Sequence, residues 1–265
     1  MIKQAIHFKR SLKVVLFIAQ KRGLFYVLKY CLKTLRKQPV DFFFELRFLF
    51  YNKRGIEIGG PSKVFLPGGL FPIIEVCKEI DNVNYKETTI WGYSKSSLYR
   101  KTIICEASCL GEYVGGEKYD FLCTSNVIEH LANPLKALFK WKHVIKKGGI
   151  MVIVFPNKDL TFDHRRPPTT IKHIIDDFKN DVDEKDLSHL VEIMKLHDIT
   201  LDPHAGTFKD FVIRSLKNYE YRCLHHHVFT LSSLTRILTT FLKMEIIFAG
   251  ELPLNNLILV AKRIY

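Results

Sequence analysis

The sequence predicts an α/β protein whose twisted, mainly parallel sheet is covered by helices and closed by an antiparallel terminal edge. Three observations predict it. Gly55-Ile-Glu-Ile-Gly-Gly60 reads as a short strand entering a glycine turn. Strand-like and helix-like stretches then alternate as far as residue 157. Ile150-Met-Val-Ile-Val-Phe155 is wholly apolar, as expected of a strand covered on both faces.

The elements follow in order. After the glycine turn, a helix is expected over Phe71–Lys78 and a short strand reaching Asp81. Residues 82–101 lack periodicity and read as loops around a cleft. Thr102–Cys105 and Tyr119–Thr124 are the third and fourth strands. Asn133-Pro134 is a helix entrance, because Asn caps free N–H groups and Pro suits the first turn. That helix is expected to run to about Ile145 and to stop at Lys146-Lys147 and Gly148-Gly149. Residues 157–229 are polar, mostly helical and rich in His and Asp. A helix over 231–243 and strands over 244–249 and 256–262 close the chain.

This pattern divides the 265 residues into a main domain (54–157 with 230–265), an inserted helical segment (158–229) and an N-terminal cap (1–53). The length suffices for a substantial core. Six cysteines, at 31, 77, 105, 109, 123 and 223, form no CxxC pair, which fits buried thiols in a reducing compartment. The net charge of +13 is uneven: residues 1–53 hold twelve Lys or Arg against Asp41 and Glu45, a balance of +10. Their apolar runs fall short of the roughly 20 residues that span a bilayer, and no signal-cleavage site follows them. Two or three amphipathic helices are expected, as a cap on the main domain or an anchor on an anionic membrane surface. Nucleic acid is not expected, because no recognition motif accompanies the charge.

In open parallel sheets, ligands bind beyond the C-terminal strand ends. Glu57, Gly59 and Gly60 stand there, although without the full GxGxxG of a dinucleotide site. Together with Tyr119-Asp-Phe-Leu-Cys-Thr-Ser-Asn-Val-Ile-Glu-His-Leu131, Val144-Ile-Lys-Lys-Gly-Gly-Ile150 and Phe155-Pro-Asn157, this ordered set resembles the class I S-adenosylmethionine-dependent methyltransferases of the type 11 group. The resemblance implies a Rossmann-like sheet and S-adenosylmethionine as cofactor. It implies that Gly59 and Gly60 lie against the amino-acid portion, with Glu57 organising the turn. Asp81 would bind the ribose and Glu106 would lie near the adenine. Ser125 and Asn126 would border the reacting centre. Pro61 after Gly60 departs from the commoner ExGxGxG pattern.

The inserted segment resembles a subset of bacterial polysaccharide-locus methyltransferases. It does so through Thr161-Phe-Asp-His-Arg-Arg-Pro167, Asp186-Leu-Ser-His-Leu190, Leu196-His-Asp198 and Arg222-Cys-Leu-His-His-His-Val-Phe229. The resemblance implies O-methylation of a sugar, nucleotide sugar or surface-glycan precursor; the cysteine usage and the basic residues 1–53 make the cytoplasm or the periphery of the inner membrane the expected location. N-methylation of a small amine or phosphoramidate-like acceptor, and a noncatalytic binding role, are the alternatives. A helical reading of 184–198 puts Asp186, His189, Ile193 and His197 on one stripe.

Histidine suits the task of accepting the acceptor's proton. His189 and His164 lead as candidate bases, followed by His226 and His130. Arg165, Arg166, Asp186, His197, His225 and His227 are the candidate acceptor-binding residues. His164, Asp186, His189, His197, Asp198 and His225–His227 carry enough N and O donors for Zn²⁺, Mn²⁺ or Mg²⁺. Spacing alone does not bring them together, and no metal is assigned.

Overall fold

A computed structural model describes residues 2–89, 92–93 and 96–265. The chain opens with helices α1 (Ile2–Arg22), α2 (Leu24–Leu35) and α3 (Asp41–Leu46). Strands β1 (Arg54–Ile58), β2 (Glu79–Asn84), β3 (Thr88–Thr89), β4 (Gly92–Tyr93) and β5 (Thr102–Ile104) follow. Next come α4 (Leu110–Val114), β6 (Tyr119–Ser125), α5 (Pro134–Val144) and β7 (Ile145–Pro156). Helices α6 (Ile171–Lys179), α7 (Leu190–Leu196), α8 (Phe208–Leu216) and α9 (Asn218–Tyr221) occupy the insertion. Helix α10 (Leu231–Thr240) and strands β8 (Met244–Leu252) and β9 (Asn256–Arg263) complete the chain.

Seven strands form one sheet in the order β5-β2-β1-β6-β7-β9-β8. The first five are mutually parallel, and β9 runs antiparallel between β7 and β8. The strand order reverses at β1, so the crevice between the ends of β1 and β6 is the expected ligand position. Side-chain alternation divides the core in two. Leu122, Met151 and Ile153 face Leu138 and Trp141 of α5 and Leu234 and Ile237 of α10. Phe121, Val152 and Val154 face the aromatic group Phe43, Phe50, Phe65 and Phe71. A Cβ on Gly55 would lie 2.0 Å from Phe121 Cζ, so this glycine serves core packing.

Three expected helices of the main domain differ. Phe71–Lys78 holds only a short 3-10 turn over Ile73–Glu75, because Pro72 and the buried Phe71 commit the chain to packing beneath the sheet. Helix α5 starts on Asn133 as expected, its side chain accepting the Lys136 N–H at 3.1 Å. It passes directly into β7 at Ile145, which pairs with Tyr119, so Lys146-Lys147 and Gly148-Gly149 belong to the irregular start of that strand. The last helix ends at Thr240. In the stretch read as loops, β3 and β4 form a small hairpin, and residues 90, 91, 94 and 95 lie outside the described residues.

Helices α1 and α2 pack on the insertion. Ile18 and Val27 bury against Leu160. Arg10 donates to the carbonyls of Asp202 (3.2 Å) and Gly206 (2.6 Å), and the Phe17 ring lies 5.0 Å from His164. The outward side is also apolar: Phe8, Leu12 and Leu16 on α1 and Leu24, Phe25, Leu28, Leu32 and Leu35 on α2 are exposed. Among the described residues, no helix is long and apolar enough to cross a membrane.

Candidate active site

The turn after β1 is held by buried polar groups. Gly59 adopts φ +78°, which favours glycine, and its N–H donates to Val83 O at 2.8 Å. The Gly60 carbonyl accepts from the side-chain amides of Asn82 (3.0 Å) and Asn84 (3.1 Å). Glu57 is fully buried beneath, accepting the Ser62 N–H at 3.0 Å and the Tyr99 hydroxyl. Burial pushes its carboxyl up to about 7, against the downward pull of these bonds. A Cβ on Gly60 would stand 2.5 Å from Glu57 Cδ and 2.8 Å from Asn82 Oδ1. At the end of β6, Asn126 takes a left-handed conformation (φ 53°) and donates to Ser125 Oγ at 3.3 Å.

One expected cofactor contact stands elsewhere. Asp81 pairs in register with Ile56, short of the C-terminal edge, and its carboxylate turns toward the strand beginnings. There it accepts from Tyr119 Oη (2.8 Å) and Arg100 (2.6 Å), with Arg54 at 3.6 Å. This binds β1, β2 and β6 together at the end opposite the crevice, and the polar residue that ends β2 is Asn84. Glu106 does follow β5, but it is ion-paired at 2.6 Å to Arg222 of the insertion. Arg222 also meets Glu184 at 2.9 Å and lies over the Tyr85 ring, while Tyr85 Oη and Lys86 Nζ contact carbonyls of α9. The end of the insertion therefore lies across the exits of β2 and β5.

A methyltransferase domain model matches residues 33–241, most of the chain. The chain belongs to the methyltransferase domain family. Similar solved structures include a Rhodobacter sphaeroides protein named for Zn-dependent alcohol dehydrogenases (14% identity, 85% of this chain and 90% of that one, TM-score 0.55). They also include a SAM-dependent methyltransferase from Aquifex aeolicus (10%, 83% and 87%, 0.45) and the methyltransferase CalH in complex with SAH (12%, 94% and 62%, 0.49). At these identities the likeness is one of fold. No curated protein matches in sequence.

The methyltransferase is a class I enzyme that uses S-adenosylmethionine. The residues present fit that group. The Gly59-Gly60 turn brings backbone to the crevice without side chains, and Asn84, Ser125 and Asn126 supply polar groups at the neighbouring strand ends. Glu57 holds the turn in shape from below.

The insertion gathers its charged residues into separate groups. Only 190–196 of the expected 184–198 helix forms, because the Asp183 and Asp186 side chains accept the N–H groups of Lys185 (2.8 Å) and Ser188 (3.1 Å) in local turns. His197 consequently leaves the Asp186–His189 stripe and pairs with Asp202 (3.2 Å), beside Arg214. His164 meets Asp198 at 3.2 Å under α1, and Arg165 meets the same carboxylate at 2.6 Å. Arg166, expected to clamp an acceptor, is fully buried. It bonds Asp163, Glu192 and the carbonyls of His225 and His226, so it braces the insertion internally.

The remaining histidines lie close together. His225 Nδ1 is 2.5 Å from Asp163 Oδ2. Burial lowers His225, but Asp163's charge and hydrogen bond outweigh it and the net shift is upward. His130 meets Leu224 O through Nδ1, and its ring lies 4.6 Å from His225. His226 is buried against Asn218 (2.9 Å) and 3.9 Å from Asp186; burial takes it down to about 3. His227 contacts Ala132 O, and burial holds it well below its ordinary range. His189, pulled down to about 4 mainly by burial, stands 3.0 Å from His173 Nε2.

Glu129, in the turn after β6, is buried with neither carboxylate oxygen hydrogen-bonded, and burial raises it to about 7. Its ligand atom and those of His130 and His225 lie within 4.8 Å of one another. Sequence reasoning assigned no role to His173 or Asp177, and Asp163 and Arg222 entered only as members of the insertion's motifs, Asp163 also as a structural partner for the Arg165-Arg166 pair. The His173–Asp177 spacing, i to i+4 on a helix, is the one signal that marks two of them.

Proposed function

We propose that this methyltransferase methylates a hydroxyl of a sugar, nucleotide sugar or surface-glycan precursor. The observation that carries this reading is the Asp163–His225 pair beside Glu129 and His130, next to the end of β6. Bound S-adenosylmethionine supplies the electrophilic methyl group. Asp163 holds the Nδ1–H of His225, which leaves Nε2 to accept the acceptor's proton, the division of labour found where a carboxylate orients a histidine base. His225 thus replaces His189 and His164 as leading base. Burial of Glu129 limits water at the same place. Methylated product formed from nucleotide sugars or glycan precursors, with the new methyl placed on oxygen by mass and NMR analysis, tests the reading. A methyl group on nitrogen, or no product from any hydroxyl acceptor, overturns it.

The α1–α2 hairpin adds a second reading, contact with an anionic membrane surface. Its exposed apolar stripes are flanked by exposed Lys9, Lys13, Lys21, Lys29, Arg36 and Lys37, the arrangement of an interfacial amphipathic element. Cosedimentation with vesicles of phosphatidylglycerol, weakening in high salt and absent with phosphatidylcholine alone, is expected. Equal binding to both vesicle types, or to neither, overturns it.

A further inference from the structure

Outside the Asp163–His225 pair, the insertion brings four donor side chains to one point. His173 and Asp177 lie one turn apart on α6, His189 precedes α7, and His227 belongs to the run before α10. Their donor atoms lie within 4.8 Å of one another. His173 Nε2 is 3.0 Å from His189 Nε2 and 3.3 Å from Asp177 Oδ2, which is 3.5 Å from His227 Nε2. Tetrahedral Zn²⁺ with bonds of about 2.0–2.1 Å places its ligand atoms about 3.3–3.4 Å apart. The two separations from His173 lie at or a few tenths of an ångström below that edge, while the His227 Nε2 contact is made by the ring nitrogen that faces Ala132 O.

The polar satisfaction points the same way. Asp177 Oδ2 is buried with no hydrogen-bond partner, and so is His227 Nδ1. In the tautomer that donates Nε2–H to Ala132 O, His227 makes the outer bond typical of a metal-binding imidazole and keeps an open lone pair on Nδ1. The His173 side chain is 39% exposed, which leaves the group an entrance. Asp186 and His226 form a second set with His189, placing another carboxylate close by.

We propose that His173, Asp177, His189 and His227 form a structural site for a divalent transition ion of the Zn²⁺ class. Three imidazoles and a carboxylate are the donors such an ion prefers, and four protein ligands make a closed coordination sphere. The ion would join α6, the start of α7 and the 225–229 segment. His189 is then a ligand and not a base.

The experiment needs no methyl acceptor. Untagged full-length protein is stripped with chelator and titrated with Co²⁺ and Zn²⁺, followed by metal analysis, visible absorption and thermal denaturation. One equivalent of Co²⁺ with the d–d bands of a tetrahedral site is expected, displaced by Zn²⁺, with a higher Tm in the metal-loaded form. His173→Ala and His227→Ala are each expected to weaken binding on the order of 100-fold or more, while His143→Ala and His130→Ala keep it. Preserved circular dichroism and S-adenosylmethionine binding in His173→Ala separate loss of a ligand from loss of fold. Substoichiometric uptake by the wild type, or uptake that survives His173→Ala and His227→Ala, overturns the site. So does uptake lost in His130→Ala but kept in His173→Ala.

Discussion

The two ends of the proposed ligand crevice, for cofactor and for acceptor, are built by different means. The cofactor end is local: Glu57, Gly59, Gly60 and Ser62 lie within six residues, and the groups that complete it come from the adjoining strands. The acceptor end is assembled over distance. His225 finds Asp163 62 residues away, and Arg222 finds Glu106 116 residues away. A short motif can specify the first end. The second exists only when several helices dock together, so it should be the more sensitive to charge, pH and single substitutions.

The sharpest break of this contrast is Asp163→Ala. It leaves Arg166 and His225 buried without their shared carboxylate, and truncating one partner of such a pair costs about 3–5 kcal/mol. Denaturant unfolding should show that loss, with methyl transfer abolished. His225→Ala removes the proposed base without stranding Arg166. Turnover is expected to fall about 10²–10⁴-fold, while calorimetry finds S-adenosylmethionine affinity unchanged.

At the local end, Gly60→Ala forces a methyl group against Glu57 and Asn82, an overpacking cost of roughly 1–3 kcal/mol. Here cofactor affinity should fall first. Unchanged affinity would show that the turn is not the cofactor contact.

Titration gives a smaller and finer test. Glu129 has a folded value of about 7 against an ordinary 4.5, so the folded state holds its proton more tightly than the unfolded chain does. Its contribution to stability is full below about 4.5 and is lost as pH rises through about 7. Glu129→Gln should therefore raise Tm at pH 8 and change little at pH 4.5. His225 must be neutral to act as a base, and its value is raised, so turnover should fall as pH drops through a point above the ordinary 6.5. A rate independent of pH across that range counts against His225.

How much of this was legible follows the same division. The sheet, the β1 turn and the Asn133 cap were readable because hydrophobic period, glycine and capping chemistry act over a few residues. Asp81 misled because its register, three positions before Asn84 at the strand end, is a property of strand pairing. The 184–198 helix failed at its start because Asp183 and Asp186 satisfy the backbone in turns, which helix periodicity does not weigh. Arg166 resembled a phosphate clamp in sequence, and only the fold reveals four protein partners around it. His173 and Asp177 escaped notice because they gain meaning only beside His189 and His227, from other parts of the insertion.

The hairpin's seat on the insertion has a thermodynamic consequence. Arg10 grips the loop carrying Asp202, and Phe17 covers the His164 that meets Asp198. If adsorption to a surface shifts the hairpin on this seat, it does work on the same segment that is proposed to receive the acceptor. Reciprocity then requires an occupied acceptor end to change the protein's affinity for that surface by the same factor. Partitioning between vesicle and solution would become a measure of acceptor binding, readable without any chemical turnover.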